Sequence, residues 1–399
     1  MRIATSQMFQ RGIDAMLNSQ SKLDDTQHQL STGKRVNVAS DDPLSAAQAE
    51  RTRADLARMT AAQRALDTSR HAMSQADNAL ATGVDLLQRA RESIIAAGNG
   101  AYGDAERQSL AQELRGLRNQ LLTVANRDDG AGGWLFGGQG TSSAPFADTP
   151  SGVTYSGVAT DRTVGSLPSA LASIDGRTAW MTMPEGNGTF ATASSVGNSG
   201  GAWIDAGEVL DATQINGDSY RIDITVSGSA LTYSVTDVTT ATTISTGTPF
   251  TSGNAIDIAG QRVRITGMPV GGDSFTLTPA QPRSVFDTLD NAIALLTTPG
   301  LGGTGQLNEG LARAGASLGS AQDRAQLVRT RIGEQLRSIE GDTDSLAARG
   351  IEGQSRLSEL QDLDLGRAIS DFQVQQNAVQ AAMQTYTKVA GLSLFDFLR

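Results

Sequence analysis

The sequence predicts an α+β chain, elongated, with long coiled-coil-like helices from both chain ends flanking an inserted β-rich domain. Three observations carry this. Apolar residues recur at spacings of three and four over 1–140 and 284–399 but alternate along 141–283. Eight of the ten prolines fall between 141 and 283, Pro43 and Pro299 being the exceptions. Charge divides the same way, with nets of 0, −6 and −4 for the three blocks.

In chain order, Phe9, Ile13, Met16, Gln20, Leu23, Gln27 and Leu30 mark the first seam, a coiled-coil stripe with two glutamines substituted in. Asp42 before Pro43 predicts an N-cap and first-turn pair, so a second helix starts there. Its stripe runs Met59, Ala62, Leu66, Ser69, Met73, Ala76, Leu80, then Val84 and Leu87, with one drift where four replaces three. As a single helix, 43–97 spans about 80 Å. A compact sphere of this chain length is only roughly 55 Å across, hence the elongated expectation. Leu110, Leu114, Leu117, Leu121 and Val124 make a third stripe.

The middle block alternates as half-buried strands do: Tyr220, Ile222, Ile224, Val226; Leu231, Tyr233, Val235; Ile256, Ile258; Val263, Ile265; Phe275, Leu277. GDSYRI at 217–222 is echoed by GDSFTL at 272–277, a weak repeat of one hairpin unit. The C-terminal block returns to helical spacing through Leu307, Leu311, Ala314, Leu318, Ala321, Ala325, Val328, Ile332, Leu336 and Ile339. The last helix offers Leu365, Ile369, Phe372, Gln376, Val379, Met383, Tyr386 and Ala390. The predicted organisation is an N-terminal assembly arm 1–40, a helical domain built from 41–140 and 284–357, a β-rich domain 141–283, and a C-terminal assembly arm 358–399.

Composition removes most chemistry. The 399 residues include no cysteine and two histidines, His28 and His71, so thiolate metal sites, disulfides and cysteine nucleophiles are absent and histidine catalysis nearly so. A net charge of −10 argues against nucleic acid and anionic membrane as partners. The N-terminus lacks the apolar region of a secretory signal, and no run approaches the ~20 apolar residues of a membrane span.

Motif matches dissolve in context. GLGGTG at 300–305 follows a helical run rather than the strand a dinucleotide site requires, so it reads as a loop before the next helix. SQSK at 19–22 sits inside a helical arm with no companion motif of the acyl-serine enzymes. The pairs Asp41–Asp42 and Asp128–Asp129 read as capping and turn residues beside Pro43 and Gly130, not as an acid–base or metal site. Trp134, Leu135 and Phe136 between glycines read either as a tight hairpin that closes the helical domain or as a partner-binding wedge.

A helix with a narrow apolar stripe does not stabilise itself, because nucleation is costly and no face is buried. Segments 1–40 and 358–399 are therefore expected to be partly disordered in the free chain and to gain order on assembly. Phe9, Ile13, Met16, Leu23, Leu30, Ile369, Phe372, Val379, Met383 and Tyr386 are the expected assembly residues. Gln20, Gln27 and Gln376 would set register, or are ordinary polar interruptions of a loose bundle.

MRIATSQMF at the start, LSTGKRVNVASDDPLSAAQA at 30–49 and NRDDGAGGWLFGGQG at 126–140 resemble the flagellin-like family. STGKR, SDDP, the WLFGG turn and the terminal LFDFLR are nearer its hook–filament junction members than filament flagellin, the alternative reading. The resemblance covers roughly 1–140 and 284–399, and the segment GNAIDIAGQRVRITGMPVGGDSFTLTP is similar to a strand-rich stretch of the junction proteins. Ala39 departs from the proline such proteins often carry before SDDP, which loosens the preceding turn and leaves the Asp42 cap. The resemblance implies a non-enzymatic adaptor without cofactor, exported unfolded through the flagellar type III apparatus to the outside of the cell. It also implies a ring of copies between hook-associated protein 1 and the first flagellin subunits, and an export chaperone that holds the C-terminal arm.

Overall fold

The long helical stripes become six helices: α1 (Arg2–Thr32), α2 (Pro43–Ala97), α3 (Asp104–Ala125), α4 (Val285–Thr297), α5 (Gly305–Gln361) and α6 (Leu365–Phe395). The structure, a computed structural model, describes residues 2–130, 132–138, 143–158, 161–164, 170–302 and 304–395. Every described strand falls between Phe146 and Arg283. The chain packs as two units, one of Met1–Arg64 with Thr343–Arg399 and one of Ala65–Asp342.

In the larger unit, α2 buries Leu66, Met73, Leu80, Leu87 and Ile94, each seven residues from the last. The interleaved positions are Ser69, Ala76, Gly83, Ala90 and Ala97, all small and all buried. Gly83 corrects the expected drift: the seam keeps its seven-residue period and Val84 is only half-buried. The reason is Trp180, on a single π-helical turn (Arg177–Met181), whose ring edge at Cη2 occupies the space a Gly83 Cβ would need. Trp180 in turn meets Phe136 edge to face at 5.7 Å.

α3 buries Leu114, Leu117, Leu121 and Val124, as its stripe predicts, and packs on α4. Arg118 of α3 fastens this pair. Its Nη1 and Nη2 donate to both carboxylate oxygens of Asp148 at 2.7 and 2.8 Å, and Nη2 to Asp290 of α4 at 3.0 Å. α5 buries Leu307, Leu311, Leu318, Val328, Ile332 and Ile339 on one stripe. A helix precedes the GLGGTG segment and another follows, so it is an interhelical loop; Gly303 lies outside the described residues.

Around Trp134 the chain forms the tight hairpin rather than a wedge. The Leu135 N–H donates to the Arg127 carbonyl at 3.0 Å, the Asp129 N–H to the Gly133 carbonyl at 3.0 Å, and Leu135 and Phe136 are fully buried. Asp128 accepts from the Gly130 N–H, and Asp129 from the Gly133 N–H and Arg162, which is turn chemistry.

The β region holds a five-stranded antiparallel sheet in the order Thr242–Pro249, Ala230–Asp237, Tyr220–Ser227, Ser274–Pro279, Phe190–Ser194. A smaller sheet pairs Ala255–Ile258, Gln261–Thr266 and Trp203–Ile204, with Glu208–Val209 also on the central strand. Their shared core contains Phe190, Ile204, Tyr220, Ile222, Ile224, Val235, Ile256, Val263, Ile265, Phe275 and Leu277. Val226, expected on the buried face, is instead solvent-exposed at the strand end. The two GDS segments are not successive hairpins: their strands are antiparallel neighbours, with Ile222 opposite Phe275 and Tyr220 opposite Leu277. The edge strand Phe190–Ser194 is anchored to α5, where buried Glu309 accepts from the Ser194 N–H at 2.9 Å and pairs with its hydroxyl.

Candidate assembly interface

The smaller unit is built from α1, the first turns of α2, the last turns of α5, and α6. α1 ends at Gly33, whose φ of +66° lets the chain reverse. Here the loops after α1 and α5 are stitched backbone to backbone. The Arg35 N–H donates to the Gln361 carbonyl at 2.7 Å and the Leu363 N–H to the Gly33 carbonyl at 3.0 Å. Arg35 Nη2 also donates to the Leu360 carbonyl at 3.0 Å, and Arg53 Nη2 to Gln361 Oε1 at 2.6 Å.

The predicted cap forms at α2. Asp42 accepts from the Ser45 N–H at 3.0 Å and the Ser45 hydroxyl at 2.6 Å, which together pull its carboxyl down to about 2. Asp41 accepts from the Val38 and Asn37 N–H groups, which hold it below its ordinary value too. Both carboxylates therefore serve as cap and turn acceptors.

Behind the cap, α2 turns Ala49, Thr52, Leu56, Met59 and Ala62 inward, and α5 turns Leu346, Gly350, Gly353, Leu357 and Leu360. Gly353 lets the two helices close, since a Cβ there would lie 2.9 Å from Leu56 Cδ2.

α1 and α6 pair with each other. The bridge between Lys34 and Asp362 and the Thr26–Gln375 hydrogen bond at 2.7 Å fix an antiparallel register. That register sets Leu30 level with Phe372, Leu23 with Val379, and Met16 with Tyr386; between these layers lie Thr26 with Gln375 and Ser19 with Ala382. The layers alternate large apolar pairs with small or polar ones. The Thr26 hydroxyl also reaches the Lys22 carbonyl at 2.8 Å. The Thr26 hydroxyl thus has two acceptors within reach, Gln375 Oε1 across the pair and the Lys22 carbonyl within its own helix.

Seven of the ten expected assembly residues, Ile13, Met16, Leu23, Leu30, Phe372, Val379 and Tyr386, are buried or half-buried on this pair. The Phe9 side chain, like that of Ala390, lies outside the described residues. Ile369 and Met383 do not join the seam: they sit one residue beyond Ala368 and Ala382 and are about half exposed, at 49 % and 48 %. Gln20, Gln27 and Gln376 are likewise exposed, and the polar layer belongs to Thr26 and Gln375. The sequence contained the right heptad one position away; alanine and serine at Ala368, Ala382 and Ser19 gave too weak an apolar signal to reveal it.

What sequence reasoning missed is the outer surface of this unit. Leu17, Val38, Leu44, Ile351, Leu365, Ile369, Val374 and Met383 all face solvent. On α6, Ile369, Gln376 and Met383 form a seven-residue stripe adjoining the buried one, so its apolar face is wider than α1 alone covers. Such a surface offers apolar docking area. Among the described residues no cluster of three or more metal-ligating side chains occurs, and no helix is long and apolar enough to cross a membrane.

Residues 3–141 match the family described as the bacterial flagellin N-terminal helical region. The whole chain is 28 % identical, over 100 % of both sequences, to flagellar hook-associated protein 3 of Salmonella typhimurium. Two crystal structures from Legionella pneumophila share the fold. One, of flagellar hook associated protein-3, is 25 % identical with TM-score 0.73, covering 78 % of this chain and 98 % of that one. The other, of the flagellar junction protein FlgL, is 26 % identical with TM-score 0.67, covering 74 % and 99 %. Flagellins match less of the chain: Flagellin E of Vibrio cholerae is 32 % identical over 31 % of it and 33 % of that sequence.

Proposed function

We propose that this chain, a flagellin-like protein similar from end to end to hook-associated protein 3, is a structural adaptor joining the bacterial flagellar hook to the flagellin filament. The observation that carries the reading is the extent of the likeness: it runs through the β-rich middle as well as both helical ends, whereas the flagellin likeness covers about a third of the chain.

The role is mechanical rather than enzymatic. Copies form a ring seated on hook-associated protein 1 and present their outer surface to flagellin, after export through the flagellar type III apparatus with a chaperone on the C-terminal arm. Acidic, cysteine-free composition and two separable terminal helices suit passage in an unfolded state. Within the ring, the α1–α6 seam residues hold each arm together, and Leu17, Ile369, Val374 and Met383 supply contacts to neighbouring copies. Segments 1–40 and 358–399 are weakly protected from hydrogen exchange in the free chain and become protected on assembly.

A strain lacking the protein keeps its hooks and sheds flagellin into the medium; normal filaments in that strain overturn the reading. Long filaments formed by the purified chain alone would identify it as a filament subunit instead.

A further inference from the structure

We propose that Asn99, in the loop 98–103 between α2 and α3, is a self-modification site: it loses its side-chain amide to the backbone nitrogen of Gly100 and becomes aspartate or isoaspartate without an enzyme. The inference goes beyond the adaptor reading and does not depend on it.

An Asn–Gly pair meets little obstruction in this reaction, because glycine puts no Cβ beside the attacking nitrogen. The pair occurs three times, at Asn99–Gly100, Asn187–Gly188 and Asn216–Gly217. Ring closure needs the carboxamide near the next backbone nitrogen, and both groups free of competing hydrogen bonds. The structure separates the three pairs on these grounds.

At Asn187 both groups are engaged. Its Nδ2 donates to the Ala206 and Gly207 carbonyls at 3.4 and 3.2 Å, and its Oδ1 accepts from the Thr189 and Phe190 N–H groups at 3.1 and 3.0 Å. The Gly188 N–H donates to the Glu185 carbonyl at 3.3 Å. At Asn216, Oδ1 is held by the hydroxyl of the buried Tyr220 at 2.7 Å and by the Asp218 N–H at 3.2 Å. Swinging that carboxamide onto Gly217 breaks the tie to Tyr220.

Asn99 is exposed, and neither its Nδ2 nor the Gly100 N–H has an acceptor among the described residues. A single bond orients its side chain: Oδ1 accepts from the Ala101 N–H at 3.1 Å, an Asx turn that folds the carboxamide forward over the following peptide. The same N–H stands on the oxygen that gains negative charge as the nitrogen adds, and so stabilises the intermediate. The Tyr102 N–H, donating to the Asn99 carbonyl at 3.0 Å, fixes the turn.

Gly100 N gives its proton to solvent hydroxide and bonds to Asn99 Cγ. The Cγ–Nδ2 bond then breaks, and the nitrogen takes a proton from water and leaves as ammonia. Water opens the resulting succinimide at either carbonyl, the ring nitrogen regains its proton, and the link runs through Cα as aspartate or through Cβ as isoaspartate. The new carboxylate precedes α3, whose first turn already carries Asp104 and Glu106, where negative charge suits the helix dipole. The product therefore accumulates in folded protein, and its fraction records the age of a copy.

The test incubates the purified full chain in warm, mildly alkaline buffer and follows the three Asn–Gly peptides by mass spectrometry, reading the mass gain of NH2 replaced by OH and the separate elution of isoaspartate. Residue 99 should convert first, 216 later and 187 last, whereas the guanidinium-denatured chain should convert all three at similar rates. Gly100→Ala is the control for chemistry: a Cβ there meets nothing within 4 Å and φ is not left-handed, so the fold is kept. It should slow conversion at 99 about tenfold or more, with circular dichroism unchanged. Residue 187 or 216 leading in the native chain, residue 99 intact while the denatured chain reacts, or an undiminished rate in Gly100→Ala overturns the inference.

Discussion

Val379→Asp and Met383→Asp separate the two jobs assigned to α6. Val379 is 5 % exposed and level with Leu23, so its replacement forfeits about 1.5–3 kcal/mol of apolar burial. It also forces a carboxylate into the seam at a further cost of about 1–3 kcal/mol. A pair of 31-residue helices has little to spare against roughly 3–6 kcal/mol, so the arm should open in the free chain. Met383 is half exposed, and aspartate there costs the free chain about 1 kcal/mol at most. Packed against a neighbour, the same substitution strands a carboxylate in an apolar contact once per copy. Hydrogen exchange by mass spectrometry should show the weak α6 protection of the free chain abolished for Val379→Asp and kept for Met383→Asp, with the larger unit unchanged in both. Complementation of a null strain should fail for both. Restored filaments with Met383→Asp would show that the solvent-facing stripe touches nothing in the assembly, and that the arm acts through its intrachain seam alone.

Three further outcomes are expected. Gly83→Ala gains about 1 kcal/mol of helix propensity but drives a methyl into Trp180, an overpacking cost of about 1–3 kcal/mol, so urea denaturation should show net destabilisation or none, never a gain. Arg118→Met should lower stability by about 1–3 kcal/mol, discounted because Asp148 and Asp290 are partly exposed. Arg118 holds Asp148 below its ordinary range, so this contribution is present above about pH 4 and lost as pH falls through the lowered value. The variant should therefore have a shallower acid limb in thermal melts, and an unchanged limb would count against the clamp. Asp42, drawn down to about 2 by Ser45, contributes to the start of α2 above about pH 4 and loses that contribution between there and about pH 2. Carbon-detected NMR titration of its carboxyl should show the low midpoint, and Ser45→Ala should raise it toward 4.

Helical periodicity was legible wherever the buried residue was large. Leu66, Met73, Leu80, Leu87 and Ile94 appear as a stripe because each carries its own apolar signal. It failed where the partner decides. Gly83 belongs to the seam only because Trp180, remote in sequence, fills the space beside it. The shift from Gln376 to Gln375 is a second case, since Thr26 supplies the reason from the other end of the chain. The sheet's alternation was visible, but the end of its burial at Val226 depends on where the core stops. The exposed stripe on α6 was mistaken in part for the buried one, because one apolar face serving two neighbours looks like a single stripe in the sequence.

Thr26 meets Gln375 across a sequence separation of 349 residues. At ordinary translation speeds, α1 emerges from the ribosome roughly 20–70 s before its mate exists. During that interval the newborn helix must neither clump nor fold onto something else, which favours sparing use of large hydrophobes. Ser19 and Thr26, interposed between Met16, Leu23 and Leu30, give it that restraint. The modest grip of the finished pair is then the toll of a long solitary infancy at the ribosome, and strengthening those two layers with leucine should produce a tighter arm that is harder to keep soluble while it waits.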